Sequence, residues 1–139
     1  MFTLKYKGED LTLEQANEAM KAFSKDRILR IRMTIHLDLQ RVSGISYNGL
    51  RIIEYDTNLN RLNGTFYASD DPQCMDLEAD IYMDNCLVET FIDGGRFHMI
   101  RPLDVHSSDT SGYEFYGERL QIKNLEVYEA GSIWENQLK

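Results

Sequence analysis

The chain has 139 residues, 42% of them hydrophobic and 11% aromatic, enough for one domain whose core needs no disulfide or metal staple. Fifteen Lys and Arg oppose 23 Asp and Glu, a formal net charge of −8, which repels a nucleic-acid backbone or an anionic membrane and argues against either as a partner. Two Pro and nine Gly exclude collagen-like and linker-like compositions.

In chain order, FTLKY reads as a short strand and Gly8-Glu9-Asp10 as a turn. Thr12 to Phe23 follows as the one helical segment: Thr12 is placed to cap it, Gln15 occupies the capping-box position, and Leu13, Ala16 and Met20 recur at helical spacing. Residues 1–27 therefore form a strand and a short helical arm belonging to the same domain as residues 28–139. The period then changes. Leu29, Ile31, Met33, Ile35, Leu37 and Leu39 alternate with Arg30, Arg32, Thr34, His36, Asp38 and Gln40. Period two over this length demands a strand with one buried and one wet face, and such clean alternation favours antiparallel pairing.

Shorter pieces repeat the pattern. Asn48-Gly49 precedes LRIIEY, and NLNRLNG precedes TFYAS. LEADIYM turns at Asp84-Asn85 and returns as CLVETFI; Asp93-Gly94-Gly95 turns again into RFHMIRP, making a meander. YEFYG and ERLQIKNLEVYEAGSIW close the chain. Eight to ten strands at roughly ten-residue spacing predict an all-β fold. The architecture expected is an antiparallel two-sheet β-sandwich, jelly-roll-like, with at most one short N-terminal helix. A closed barrel is the geometric rival.

The chemistry-bearing residues form no motif on their own. There is no nucleophile elbow, phosphate loop or dinucleotide fingerprint. Cys74 and Cys86 leave one disulfide or two thiols equally open. His36 and His98 fall on the polar phase of their strands, and His106 lies in a Ser/Asp loop. Glu78, Asp80, Asp84, Glu89 and Asp93 cluster along the meander. A glycosidase needs two such groups roughly 5–9.5 Å apart across a bond, but surplus acid makes chance pairs common. Calcium would be a second use of these carboxylates, yet no EF-hand loop is present. Neither a metal nor a cofactor is expected. Tyr47, Tyr113, Phe115, Tyr116 and Trp134 are aromatic groups on which the C–H faces of sugar rings could pack.

The segment Ile81 to Leu103, IYMDNCLVETFIDGGRFHMIRPL, resembles a recurrent stretch in the C-terminal β-sandwich of glycoside hydrolase family 32, which includes invertases, sucrose-6-phosphate hydrolases, levanases and inulinases. There a strand ends in Asp-Arg-Ser, followed by Ser-Val-Glu-Val-Phe and an Asn-Asp-Gly turn. Here Asp84, Val88, Glu89, Phe91 and one turn glycine match, while Asn85 replaces the Arg and Cys86 the Ser. Gly49-Leu50-Arg51 resembles the family's Phe-Gly-Leu-Arg strand, and Leu120 to Trp134 resembles its closing strand.

The family's catalytic residues lie in an N-terminal β-propeller, in Trp-x-Asn-Asp-Pro-Asn-Gly, Arg-Asp-Pro and Glu-Cys motifs; none of these occurs here. Asp71-Pro72 follows Asp70 and not Arg, so the stabiliser role does not carry over. The resemblance thus implies a non-catalytic accessory module of a fructan- or sucrose-cleaving hydrolase, partnered by a catalytic β-propeller in cis or trans. An exposed apolar patch for docking, including Trp134 or the early helical segment, is expected. The alternative implied is a module binding fructose-containing glycans through Glu89 and Asp84, with Arg51 and Tyr113 beside them. The opening residues show no long apolar stretch. The location implied is extracellular or periplasmic for a levanase and cytoplasmic for a sucrose-6-phosphate hydrolase.

Overall fold

The computed structural model describes residues 2–21, 29–38, 42–56, 61–62, 65–66, 74–84, 87–103, 112–117 and 120–129. Two antiparallel sheets face each other. The first has six strands in the order β1 (Phe2–Thr12), β11 (Gln121–Glu129), β2 (Leu29–Asp38), β7 (Cys74–Met83), β8 (Leu87–Ile92), β9 (Phe97–Pro102). The second has five, in the order β10 (Tyr113–Tyr116), β3 (Ser43–Tyr47), β4 (Leu50–Asp56), β5 (Arg61–Leu62), β6 (Thr65–Phe66). This is the expected sandwich, not the rival closed barrel, because each sheet ends in two edge strands.

One core lies between the sheets. Leu29, Ile31, Met33 and Ile35 of β2 are buried with Leu77, Ala79, Ile81 and Met83 of β7. Ile45, Tyr47, Ile53, Tyr55, Tyr113 and Phe115 of the second sheet belong to the same cluster. The alternation of β2 thus serves the purpose its period implied: one face in the core, the other carrying Arg30, Arg32, Thr34 and His36 outward. The side chains of Leu37 and Leu39 lie outside the described residues.

Helix α1 (Leu13–Met20) begins with the anticipated box. Thr12 Oγ1 accepts from the Gln15 N–H at 3.2 Å, and Gln15 Oε1 accepts from the Thr12 N–H at 3.0 Å. Ala16 and Met20 are buried. Asn17 reaches the second sheet: its Oδ1 accepts from Phe115 N–H at 2.7 Å and its Nδ2 donates to Phe115 O at 3.0 Å. Because no other described strand pairs with that edge of β10, this one amide bonds there as a neighbour strand would.

The turn expected at Gly8-Glu9-Asp10 is instead a bulge within a continuous β1. Tyr6 pairs with Leu125 and Asp10 with Lys123, so three residues of β1 oppose Asn124 alone. Gly8 and Asn124 both take positive φ, 75° and 57°, and Asn124 Oδ1 accepts from the Gly8 N–H at 2.5 Å. The other side of β11 is also irregular there, since Lys123 faces Thr34 and Glu126 faces Arg32. Bulges of this kind bend a strand and raise its local twist.

The β3–β4 hairpin turns on Asn48-Gly49, both at positive φ (47° and 80°), the conformation a two-residue primed turn requires. A further bulge sets Ile52 as the extra residue of β4, because Ile45 pairs with Ile53 and Ser46 with Arg51. Ile52 and Ile53 are both buried as a result.

Candidate functional site

The outward face of the six-stranded sheet holds two rows of side chains in cross-strand register. The first is Tyr128, Arg30, Tyr82, Glu89, Ile100; the second is Glu126, Arg32, Asp80, Phe91, His98. Period two puts all ten on one face of the sheet, and diagonal contacts stitch the rows together. Arg30 grips Asp80 with two parallel bonds, Nε to Oδ1 at 3.0 Å and Nη2 to Oδ2 at 2.8 Å. Its guanidinium also lies 4.8 Å from the Tyr82 ring centre. His98 Nε2 is 2.7 Å from Glu89 Oε1. The His98 ring stacks on Phe91 at 4.5 Å and 12°. Tyr82 meets Phe91 edge to face at 5.8 Å, and Tyr128 Oη donates to Glu126 Oε2 at 2.6 Å.

These contacts tune the ionisable groups. The Asp80 carboxylate holds the Arg30 guanidinium above its usual pKa despite partial burial. Burial, and then the charge of Asp80, raises the Tyr82 phenol. The hydrogen bond to Glu126 is the first cause of a raised pKa for Tyr128.

A cleft of about 490 Å³ opens on this face over β11, β2 and β7. Its polar walls are Arg32, Thr34, Glu78, Asp80, Asn124 and Glu126, and its aromatic wall is Tyr82 with Phe91. Among the described residues no group of three or more His, Cys, Asp or Glu side chains is placed to hold a metal ion.

The four residues singled out from the sequence are not brought together. Glu89 is on the outward face, half-exposed and paired to His98. Asp84 holds the β7–β8 turn: its Oδ1 accepts from Leu87 N–H at 2.8 Å and its own N–H donates to Leu87 O at 3.0 Å. Tyr113 is buried in the core, with its hydroxyl 3.0 Å from Met83 Sδ and its ring 4.5 Å from that of Tyr47. Arg51 belongs to the other sheet, where Nη1 reaches Glu54 Oε1 at 3.1 Å. Tyr116 completes that second cluster by donating to Glu54 Oε2 at 2.6 Å.

Among the described residues of the early helical segment, which end at Lys21, no apolar patch faces outward, because Ala16 and Met20 turn into the core and Leu13 and Ala19 pack against it. The large exposed hydrophobics among the described residues are Val42, just before β3, and Ile100 on β9. Trp134, Cys86, Asn85 and His106 lie outside the described residues. Arg32, Tyr82 and Asn124 are not among the candidate residues that the sequence singles out. A signal for two of them was present: Tyr82 and Phe91 are aromatics on the wet phase of adjacent strands, and Arg32 sits on the wet phase of β2.

No family model and no curated protein matches the chain. Solved structures do. A crystal structure of a fructosyltransferase from A. japonicus superposes with a TM-score of 0.51 at 16% identity, covering 75% of this chain and 23% of that one. A second crystal structure, of A. japonicus CB05, gives a TM-score of 0.51 at 15% identity with the same coverage. The shared feature is the fold. The chain spans under a quarter of the length of these two structures.

Proposed function

We propose that this chain is a non-catalytic β-sandwich module that accompanies a fructan- or sucrose-cleaving glycoside hydrolase and docks on its catalytic β-propeller, in cis or in trans. The observation that carries the reading is the fold shared with one portion of a fructosyltransferase. The ordered resemblance of the Gly49-Leu50-Arg51, Asp84 to Phe91 and Leu120 to Trp134 segments to the family 32 sandwich supports it. The module takes its location from the enzyme it serves. On its own it supplies no hydrolysis, because the propeller's carboxylate motifs are missing from its sequence and acid chemistry needs positioned groups.

The test is to mix the purified chain with a propeller of such an enzyme encoded in the same genome. The expected result is a one-to-one complex by size exclusion with light scattering, and a higher melting temperature for the propeller. No complex, together with sugar release by the chain alone, would overturn the reading.

A second reading, a module that binds fructose-containing glycans, is favoured by one observation. Phe91, His98 and Glu89 form a contiguous aromatic and carboxylate cluster on the outward face. Titration calorimetry against levan-derived oligosaccharides tests it, and absence of heat at millimolar sugar refutes it.

A further inference from the structure

The cluster around Arg32 is the least self-contained part of the outward face. Arg32 stands in register between Glu126 on one side and Asp80 on the other, yet it forms no salt bridge with either. Both carboxylates already have other partners. Both Asp80 oxygens are taken by Arg30, and Glu126 Oε2 is taken by the Tyr128 hydroxyl. Arg32 is exposed and makes no hydrogen bond or ion pair among the described residues, so its five-donor fork faces the cleft it lines.

The other walls are complementary in kind. Asn124 is fixed by the β1–β11 bulge: its Oδ1 is held by the Gly8 N–H, which leaves the amide nitrogen as the group able to donate to a guest. Glu78 accepts from Thr34 through Oε1 at 3.0 Å, so Oε2 remains an acceptor at the cleft's other wall. Tyr82 and Phe91 supply an apolar surface between them. The local charge is close to balanced. Arg30 neutralises Asp80, while Arg32 offsets one of Glu78 and Glu126, leaving about one net negative charge by formal count.

We infer that this cleft binds a neutral sugar ring. A ring of this class presents an apolar C–H face to an aromatic wall and vicinal hydroxyls that both accept and donate. An unpaired guanidinium and a carboxamide meet the lone pairs, and a carboxylate meets the hydroxyl protons. An anionic ligand would meet the residual negative charge, and a wholly apolar one would strand Arg32 without partners. The cleft's volume falls in the range usual for small-ligand sites, roughly 300–1,000 Å³. The inference rests on the glycan-binding reading above but moves the site. Glu89 and His98 lie on β8 and β9, outside the cleft walls, and Phe91 is the one residue shared with that cluster.

The test titrates the full chain with levan, inulin and cellulose-derived tetrasaccharides and with an oligogalacturonide, and maps amide shifts by NMR. Binding of at least one neutral tetrasaccharide is expected, with shifts centred on Arg32, Asn124 and Phe91 and weaker binding of the oligogalacturonide. Arg32→Gln and Phe91→Ala should each weaken binding at least tenfold, while the control Glu114→Gln, on the other sheet, changes it less than twofold. Melting curves establish that the variants fold, and the map on the unmodified chain decides the matter if one does not. Loss of binding in Glu89→Gln but not in Arg32→Gln would keep the glycan reading and overturn the cleft. Tighter binding of the oligogalacturonide would overturn the neutral-ring assignment. No binding of any sugar would overturn both.

Discussion

The side-chain amide of Asn17 and the backbone of Phe115 meet as two strands would, with Oδ1 accepting from the amide N–H at 2.7 Å and Nδ2 donating to the carbonyl at 3.0 Å. A helix near the start of the chain thereby closes the free edge of a strand 98 residues later. Asn17→Ala would leave a half-buried N–H and C=O without partners. The expected cost is about 1–3 kcal/mol, read as a lower urea midpoint at unchanged slope. Because an unblocked edge recruits other strands, the variant should also aggregate faster at equal protein concentration. An unchanged midpoint would mean that β10 needs no cover.

Thr90 sits on the core side of β8, and its hydroxyl is fully buried without a hydrogen-bond partner among the described residues. Thr90→Val keeps the branched shape and removes the desolvated hydroxyl, so it should stabilise the fold by about 1 kcal/mol. A rise of a few degrees in the melting temperature is the expected readout. A destabilised variant would show that the hydroxyl is satisfied after all.

Much of the architecture was legible along the chain because it rests on local rules. The β2 alternation, the Thr12–Gln15 box and the Asn48-Gly49 turn each carry their own short-range signal, and each is present in the fold. The Gly8 signal reads as a turn along the chain because turns and bulges use the same positive-φ chemistry. Only the pairing with β11 tells them apart. Tyr113 could have been placed in the core from parity alone, since Tyr113 and Phe115 share a phase in YEFY and both are buried. The cleft was not legible. It depends on β2 lying between β11 and β7, a long-range pairing that leaves Arg32 flanked by two carboxylates already engaged.

Gly44 illustrates a constraint that the pattern of hydrophobicity hides. It pairs with Glu54 on one side and Tyr116 on the other, and a Cβ there would fall 1.9 Å from the Ile53 carbonyl oxygen. Backbone cannot yield as a flexible side-chain end does. Gly44→Ala should therefore cost at least about 2 kcal/mol by forcing β3 and β4 apart, and amide exchange should accelerate along that pair. Wild-type stability in the variant would show that the two strands have slack.

The same row predicts an alkaline limit to stability. Tyr116 donates to Glu54 Oε2 at 2.6 Å. Burial first, and then that bond and the carboxylate charge, raise its pKa well above the ordinary phenol value of 10.0. Ionising it in place would set a phenolate against Glu54. The folded chain therefore keeps a proton that the unfolded chain releases near pH 10. A raised folded-state pKa contributes stability that is complete below about pH 10 and is lost as pH climbs toward the folded value. Urea midpoints should fall between pH 10 and 11.5 more steeply in the unmodified chain than in Tyr116→Phe. The variant gives up the hydrogen bond, worth about 1 kcal/mol at pH 8, but carries no phenol to titrate. Tyr82 and Tyr128 are raised as well, so the diagnostic is the difference between the two proteins and not the decline itself. Phenolate absorbance at 295 nm supplies the independent check: the amplitude that appears only as the fold is lost should be smaller by one tyrosine in the variant than in the unmodified chain. Parallel pH profiles for the two proteins would refute the buried-phenol account.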